Sequence, residues 1–160
     1  MIYDPSGQVG RGRDVEAAID TVAGLIEANR DASHGIRMMV EILEDLPIAS
    51  ELREKAEIRD GFAAKLAVLM ARYGAGEDIP EGGSFKGTRF GWRLQVTAAL
   101  RKNDRTAVLE VAAKGNKVMQ KEYERALGAK LPDDVRKVMV AQLWEIEATG
   151  EWIESKLAAG

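Results

Sequence analysis

The chain has 160 residues, of which 46% are apolar and 31% are charged, and its formal net charge is −3. This length and composition are those of a folded protein with one buried core, which argues against global disorder. The chain has no cysteine, which excludes disulfides, thiolate catalysis and cysteine-ligated metal sites, and its slightly acidic balance makes a nucleic-acid partner unexpected.

The N-terminal segment, residues 1–13, contains Pro5 and three glycines and is interpreted as a flexible arm. It shows no basic stretch followed by an apolar run, so we expect no signal peptide. No stretch of the chain stays apolar for the roughly 20 residues that a membrane span needs. The sequence therefore predicts a cytoplasmic protein with one folded domain over residues 14–160.

Four long segments carry apolar residues at helical spacing. The first is predicted to run from Asp14, which can cap a helix, to about residue 45, and the second from Pro47 to Gly74. The third and fourth are predicted over about 103–128 and 131–157. No segment shows the alternation of a half-buried strand, so the predicted class is all-α.

Short turns join the first helix to the second and the third to the fourth, and each pair is therefore expected to be antiparallel. The connection between helices 2 and 3 covers residues 74–103, which is long enough to run the length of a bundle, and residues 88–102 within it predict a short extra helix. The predicted fold is a ferritin-like up-down four-helix bundle with a long crossover between helices 2 and 3 that carries this short helix.

Each apolar stripe is interrupted near its middle by polar residues or glycine. In the first segment, no large apolar residue occurs between Ile26 and Ile36. When the helices are aligned by distance from their turns, the interruptions fall at one height and predict a polar layer. Its predicted members are Asn29, Asp31, Ser33, His34, Glu57, Arg59, Asp60, Asn116, Gln142 and Glu145, with Gly35, Gly61, Gly115 and Gly150 beside them.

A metal centre is one possible use of such a layer, because residues three or four positions apart share a helix face. Asp31 and His34 have this spacing, as do Glu57 and Asp60, and Glu145 completes the candidate ligand set for iron or another divalent metal. A di-iron carboxylate centre needs two Glu-x-x-His motifs, however, and the chain has one histidine. The alternatives are a solvated or interfacial polar stripe, which we favour, and a buried polar network that fixes helix register.

The crossover segment 82–103 contains five basic residues and no acidic one, with aromatic residues between them. These basic residues are candidates for contact with phosphate, nucleic acid or an anionic surface. They are Lys86, Arg89, Arg93, Arg101 and Lys102. We favour a simpler interpretation, in which the apolar side chains of the short helix cover the bundle and the basic ones contact water.

Trp144 and Trp152, in the fourth segment, fall on or beside the apolar stripes. They are predicted to lie in the core or in a dimer face.

Several stretches, in their order and spacing, resemble a bacterial ferritin-like four-helix-bundle family of unknown function, some of whose members are associated with stress responses. The stretches are Leu25-Ile26-Glu27 with Asp31 and Gly35, Phe62 to Leu66, Gly83 to Trp92, Lys114 to Asn116, Tyr123 to Leu127, and Leu131-Pro132 with Gln142. The resemblance covers about residues 20–157. It implies a ferritin-like fold, a bacterial origin and dimers.

The chain departs from this family at two positions. Asn116 stands where relatives often have glutamate, and Gly150 stands where they often have histidine. The resemblance therefore implies a bundle that has lost two metal donors. We expect a non-catalytic protein without a cofactor, which acts as a homodimer or by binding an unknown protein partner. The alternative is a metal-binding ferritin-like protein that uses the mid-bundle carboxylates and histidine.

Overall fold

The computed structural model describes residues 13–44, 46–75 and 105–159. These ranges contain no strand, and they form four helices. The helices are α1 (Arg13–Ile42), α2 (Ile48–Arg72), α3 (Arg105–Leu127) and α4 (Asp133–Ala158). The predicted all-α class with four long helices is confirmed. The N-terminal residues 1–12, the predicted short helix over 88–102 and the five basic residues of the crossover lie outside the described ranges.

Local signals account for the ends of α2. Pro47 precedes the first helical residue with a φ of −55°, which already suits a helix. Gly74 follows the helix with a φ of 72°, a left-handed conformation that glycine adopts without a Cβ clash. The amide of Ala75 then donates to the carbonyl of Met70, which closes the last turn. The helix ends at Arg72, two residues before the predicted end, and Gly74 adopts the turn that follows it.

The helices pack in a square, because α1 and α4 each contact both α2 and α3. One apolar cluster joins the end of α1 to the start of α2, the start of α3 and the end of α4, and it includes Met39, Leu52, Leu109 and Ile153. The other cluster joins the opposite ends and includes Val22, Leu66, Tyr123 and Met139. Consequently α1 and α4 run in one direction and α2 and α3 in the other. The chain leaves α2 at one end of the bundle and begins α3 at the opposite end.

Apolar burial stabilises both ends of the bundle. Val22, Ile26, Leu66, Leu109 and Ile146 have no measurable exposure, and burying a side chain of this size contributes about 1.5–3 kcal/mol. Between the two clusters the interior becomes polar, as the interrupted stripes predict. None of the four described helices is long and apolar enough to cross a membrane.

Candidate functional site in the polar layer

The described residues have seven buried polar side chains, and five of them are predicted members of the polar layer. These five are Asn29, Ser33, Arg59, Asn116 and Gln142, and the other two are Glu27 and Thr149. Burying a polar group is unfavourable unless it forms hydrogen bonds, so each of these side chains needs a partner inside the bundle. Ser33 Oγ accepts a hydrogen bond from Arg37 Nε at 3.4 Å, and Thr149 Oγ1 donates to the carbonyl of Glu145 at 2.9 Å. Two longer chains of hydrogen bonds connect the helices.

The first chain runs through the hydroxyl of Tyr123. Asn29 Nδ2 donates to the carbonyl of Leu25 at 2.9 Å and to the Tyr123 hydroxyl at 2.7 Å. That hydroxyl donates to Gln142 Oε1 at 2.6 Å, and Gln142 Nε2 donates to the carbonyl of Phe62 at 3.4 Å. Because these residues lie on α1, α3, α4 and α2, this single chain of hydrogen bonds connects all four helices.

The second chain is centred on Asn116. Arg59 Nη2 donates to Asn116 Oδ1 at 2.7 Å, and Asn116 Nδ2 donates to the carbonyl of Ile146 at 2.9 Å. A Cβ atom built on Gly150 would lie only 2.9 Å from Asn116 Nδ2. The glycine in α4 therefore makes room for the Asn116 amide, and the two residues form one packing unit across α3 and α4.

Burial also shifts the pKa of two ionisable side chains in the layer, Tyr123 and Arg59. It raises the pKa of Tyr123 to about 12, although the Asn29 hydrogen bond and the charge of Arg59 act in the opposite direction. Burial lowers the pKa of Arg59 from 12.5 to about 10, against the charges of Tyr123 and Glu145. At neutral pH the layer therefore contains a neutral phenol and a buried cation, and neither is poised for proton transfer.

Replacing Tyr123 by phenylalanine is expected to lower the free energy of unfolding by about 1–3 kcal/mol, because Asn29 Nδ2 and Gln142 Oε1 both lose a buried partner. Urea unfolding measures this effect. Tyr73→Phe is the control, since its half-buried hydroxyl donates only to Asp134, at 2.8 Å. We expect Tyr73→Phe to cost only about 0.5–1.5 kcal/mol, the net value of one hydrogen bond, because both partners stay partly accessible to water. Equal losses in the two variants would contradict the assigned hydrogen-bond chain.

The loss of stability in Tyr123→Phe is also expected to depend on pH. Tyr123 has a folded pKa of about 12, above the ordinary value of 10.0, so the unfolded chain releases the phenolic proton first as the pH rises. This residue's contribution is therefore complete below pH 10 and is lost between about pH 10 and 12. Arg59 acts with the opposite sign over pH 10 to 12.5, because its pKa is lowered on folding. The difference between the wild type and Tyr123→Phe gives the contribution of the phenol together with its charge interaction with Arg59.

Three of the five predicted metal ligands face outward. The side chains of His34, Glu57 and Asp60 are exposed. Asp60 Oδ2 instead accepts a hydrogen bond from Arg37 Nη2 at 2.7 Å, in an ion pair whose two side chains are nearly half exposed. An ion pair with this exposure contributes roughly 0–1 kcal/mol.

The other two predicted ligands, Asp31 and Glu145, are half-buried, and Glu145 lines a groove between α2 and α4. Within the described ranges, no three histidine, aspartate or glutamate side chains form a group that could hold a metal ion. A metal site built from these five residues stays a prediction. What the structure brings together is the amides, the phenol and the guanidinium, as in the alternative of a buried polar network.

The predicted polar layer did not include Tyr123, although its hydroxyl is central to the first chain of hydrogen bonds. A signal was present, because a tyrosine among core residues needs a partner for its hydroxyl, and the neighbouring helices supply Asn29 and Gln142 at that height.

Trp144 was predicted to lie in the core or in a dimer face. Its exposure of 68% rules out the core, so the dimer face is the prediction that stays.

Comparison with protein families matches residues 17–129 to a family described as a domain of unknown function, DUF2383. The match covers more than half of the chain, and the chain therefore belongs to this family. No curated protein and no solved structure matches it significantly.

Proposed function

We propose that this member of the DUF2383 family is a non-catalytic ferritin-like helical bundle that acts by association with a second copy of itself. One observation carries the proposal. On the outward face of α4, Trp144 is 68% exposed and lies midway between two exposed residues of opposite charge, Lys137 and Glu151.

The helix directions support the ferritin-like part of the proposal. α2 and α3 are parallel although they follow each other in the chain, because α2 ends at one end of the bundle and α3 begins at the opposite end. A four-helix bundle with one such crossover has ferritin-like topology. The interior of the layer holds amides, a phenol and a guanidinium, which suits a structural role better than it suits redox chemistry.

The spacing of the charged residues supports self-association. Seven residues are close to two helical turns, so Lys137, Trp144 and Glu151 share one face of α4. Single exposed apolar residues are common on protein surfaces, but tryptophan is enriched in the buried centres of interfaces. The symmetric arrangement of the two charges about Trp144 is the feature that selects a second copy of this chain as the partner.

Two α4 helices that pack antiparallel about a two-fold axis at Trp144 satisfy this pattern. Each Lys137 then lies opposite Glu151 of the other copy, about 10 Å from the axis, and the pair occurs twice. Electrostatic complementarity of this kind fixes the register of an interface more than it adds affinity. A contact between two helices is smaller than the standard interface of about 1,600 Å², so we expect a dissociation constant in the micromolar range.

Charge reversal tests the register by sedimentation equilibrium. Lys137→Glu places two glutamates opposite each other at both ends of the interface, and Glu151→Lys places two lysines there, so each variant is expected to be mainly monomeric. An equimolar mixture of the two variants restores both opposite-charge pairs and should dimerise like the wild type. Lys121→Glu, an exposed change of the same charge on α3, is the control and should leave the dimer intact.

Trp144→Ala removes the central contact and is expected to weaken the dimer at least about tenfold, because truncating a buried tryptophan at an interface commonly costs 2 kcal/mol or more. Two results would refute the proposal. One is a wild-type chain that stays monomeric at millimolar concentration. The other is a dimer that is indifferent to Trp144→Ala and to both charge reversals, because its interface would then lie elsewhere.

A further inference from the structure

A cavity of about 30 Å³ lies inside the bundle, and residues of all four helices line it. Most of its wall is apolar. The polar residues in the wall are Lys55, Arg59, Asn116 and Thr149, and the lining residues include no aspartate or glutamate. A space of this size holds one or two water molecules or one anion of a few atoms.

Arg59 is the unusual member of this wall. It is 3% exposed, and its Nη2 donates to Asn116 Oδ1 at 2.7 Å. Its Nη1 is fully buried and has no hydrogen-bond partner among the described residues. The Phe62 ring lies 5.8 Å from the guanidinium carbon, which provides a favourable face but no acceptor. A buried guanidinium nitrogen that has no acceptor is strongly unfavourable.

A second cation, Lys55, increases the positive potential of the cavity. This lysine lies in the wall, with Nζ 5.3 Å from the centroid of the Trp152 ring. Glu145 is the carboxylate whose charge acts on Arg59, but it lines the groove between α2 and α4 instead of this cavity. The cavity therefore has two cations and no carboxylate in its wall, and one of these cations, Arg59, has a buried donor without a partner among the described residues.

We propose that this cavity binds a small monovalent anion, a halide or nitrate, which accepts a hydrogen bond from Arg59 Nη1 and neutralises the buried guanidinium. Water can accept the same hydrogen bond but cannot compensate the charge, whereas an anion does both. The cavity is too small for a nucleotide or another large phosphate ligand. Because the wall is mostly apolar, weakly hydrated anions such as bromide should bind more tightly than strongly hydrated fluoride.

Thermal unfolding tests the proposal in solution. Fluoride is replaced by bromide at constant ionic strength, and the midpoint temperature is recorded. A bromide concentration 100-fold above the dissociation constant stabilises the native state by about 2.7 kcal/mol, which raises the midpoint of a chain of this size by roughly 5–10 °C. The response should saturate, which distinguishes a site from a general salt effect. Arg59→Met should abolish it, and Arg53→Met, an exposed arginine on the same helix, should retain it.

A crystal of the wild type grown in bromide gives a second measurement, which does not depend on the variant folding. We expect an anomalous bromide peak in the cavity within hydrogen-bonding distance of Arg59 Nη1. Water density without an anomalous signal, at a bromide concentration that saturates the thermal response, would overturn the proposal. A bromide peak without any saturable stabilisation in solution would also overturn it, because it would show an adventitious ion only.

Discussion

Asn116→Leu is expected to lower the free energy of unfolding by about 3 kcal/mol, although leucine closely matches asparagine in shape. The variant removes the single protein acceptor that the described residues offer to the Arg59 guanidinium, Asn116 Oδ1. A buried charged donor without a partner incurs its full desolvation penalty. This penalty is at or above the upper end of the 1–3 kcal/mol that is typical of neutral groups. Urea unfolding in fluoride buffer measures the loss without a contribution from halide binding.

Adding Arg59→Met to Asn116→Leu should recover most of this stability, to within about 1 kcal/mol of the wild type, because apolar residues of similar volume can replace a buried polar pair at little cost. The double-mutant cycle then gives a coupling energy of at least about 2 kcal/mol, because any cost of Arg59→Met alone adds to the difference between the two values. A double variant as unstable as Asn116→Leu alone would show that the loss comes from packing and not from the unpaired guanidinium.

Much of the fold could be predicted because its signals are local. Helical periodicity, the conformational freedom of Gly74 and the start signals at Pro47 each act within a few residues, and the structure follows them. The height of the polar layer could also be predicted, since short turns fix how neighbouring helices align. The parallel direction of helices 2 and 3 could be inferred only from the length of the connection between them.

Which residues of the layer point inward could not be predicted from height alone, because successive residues of a helix differ by about 100° in direction. Ser33 is buried and His34 is exposed; Arg59 is buried and Asp60 is exposed. On α4, the amide of Asn116 donates to the carbonyl of Ile146, which the predicted layer did not include. An error of one residue in the direction of a side chain is thus enough to predict carboxylate ligands where the structure has amides and a guanidinium.

Two glycines of the layer should respond in opposite ways to the same substitution. A Cβ atom on Gly61 has no neighbouring atom within 4 Å, so Gly61→Ala should raise the free energy of unfolding by about 1 kcal/mol, the helix-propensity difference. A Cβ atom on Gly150 lies 2.9 Å from Asn116 Nδ2. Gly150→Ala should therefore lower the free energy of unfolding by about 2 kcal/mol, because overpacking and a lost buried bond outweigh the propensity gain.

The sign of the Gly150 effect should depend on Asn116. In an Asn116→Ala background the amide is gone, its bonds to Arg59 and Ile146 no longer exist, and the added methyl group at position 150 has space. Gly150→Ala should then stabilise that background by about 1 kcal/mol, as Gly61→Ala does in the wild type. Urea unfolding of the four chains measures both signs. If Gly150→Ala stabilises the wild type, the close approach of α3 and α4 is not held by the Asn116 hydrogen bonds, and the glycine has another role.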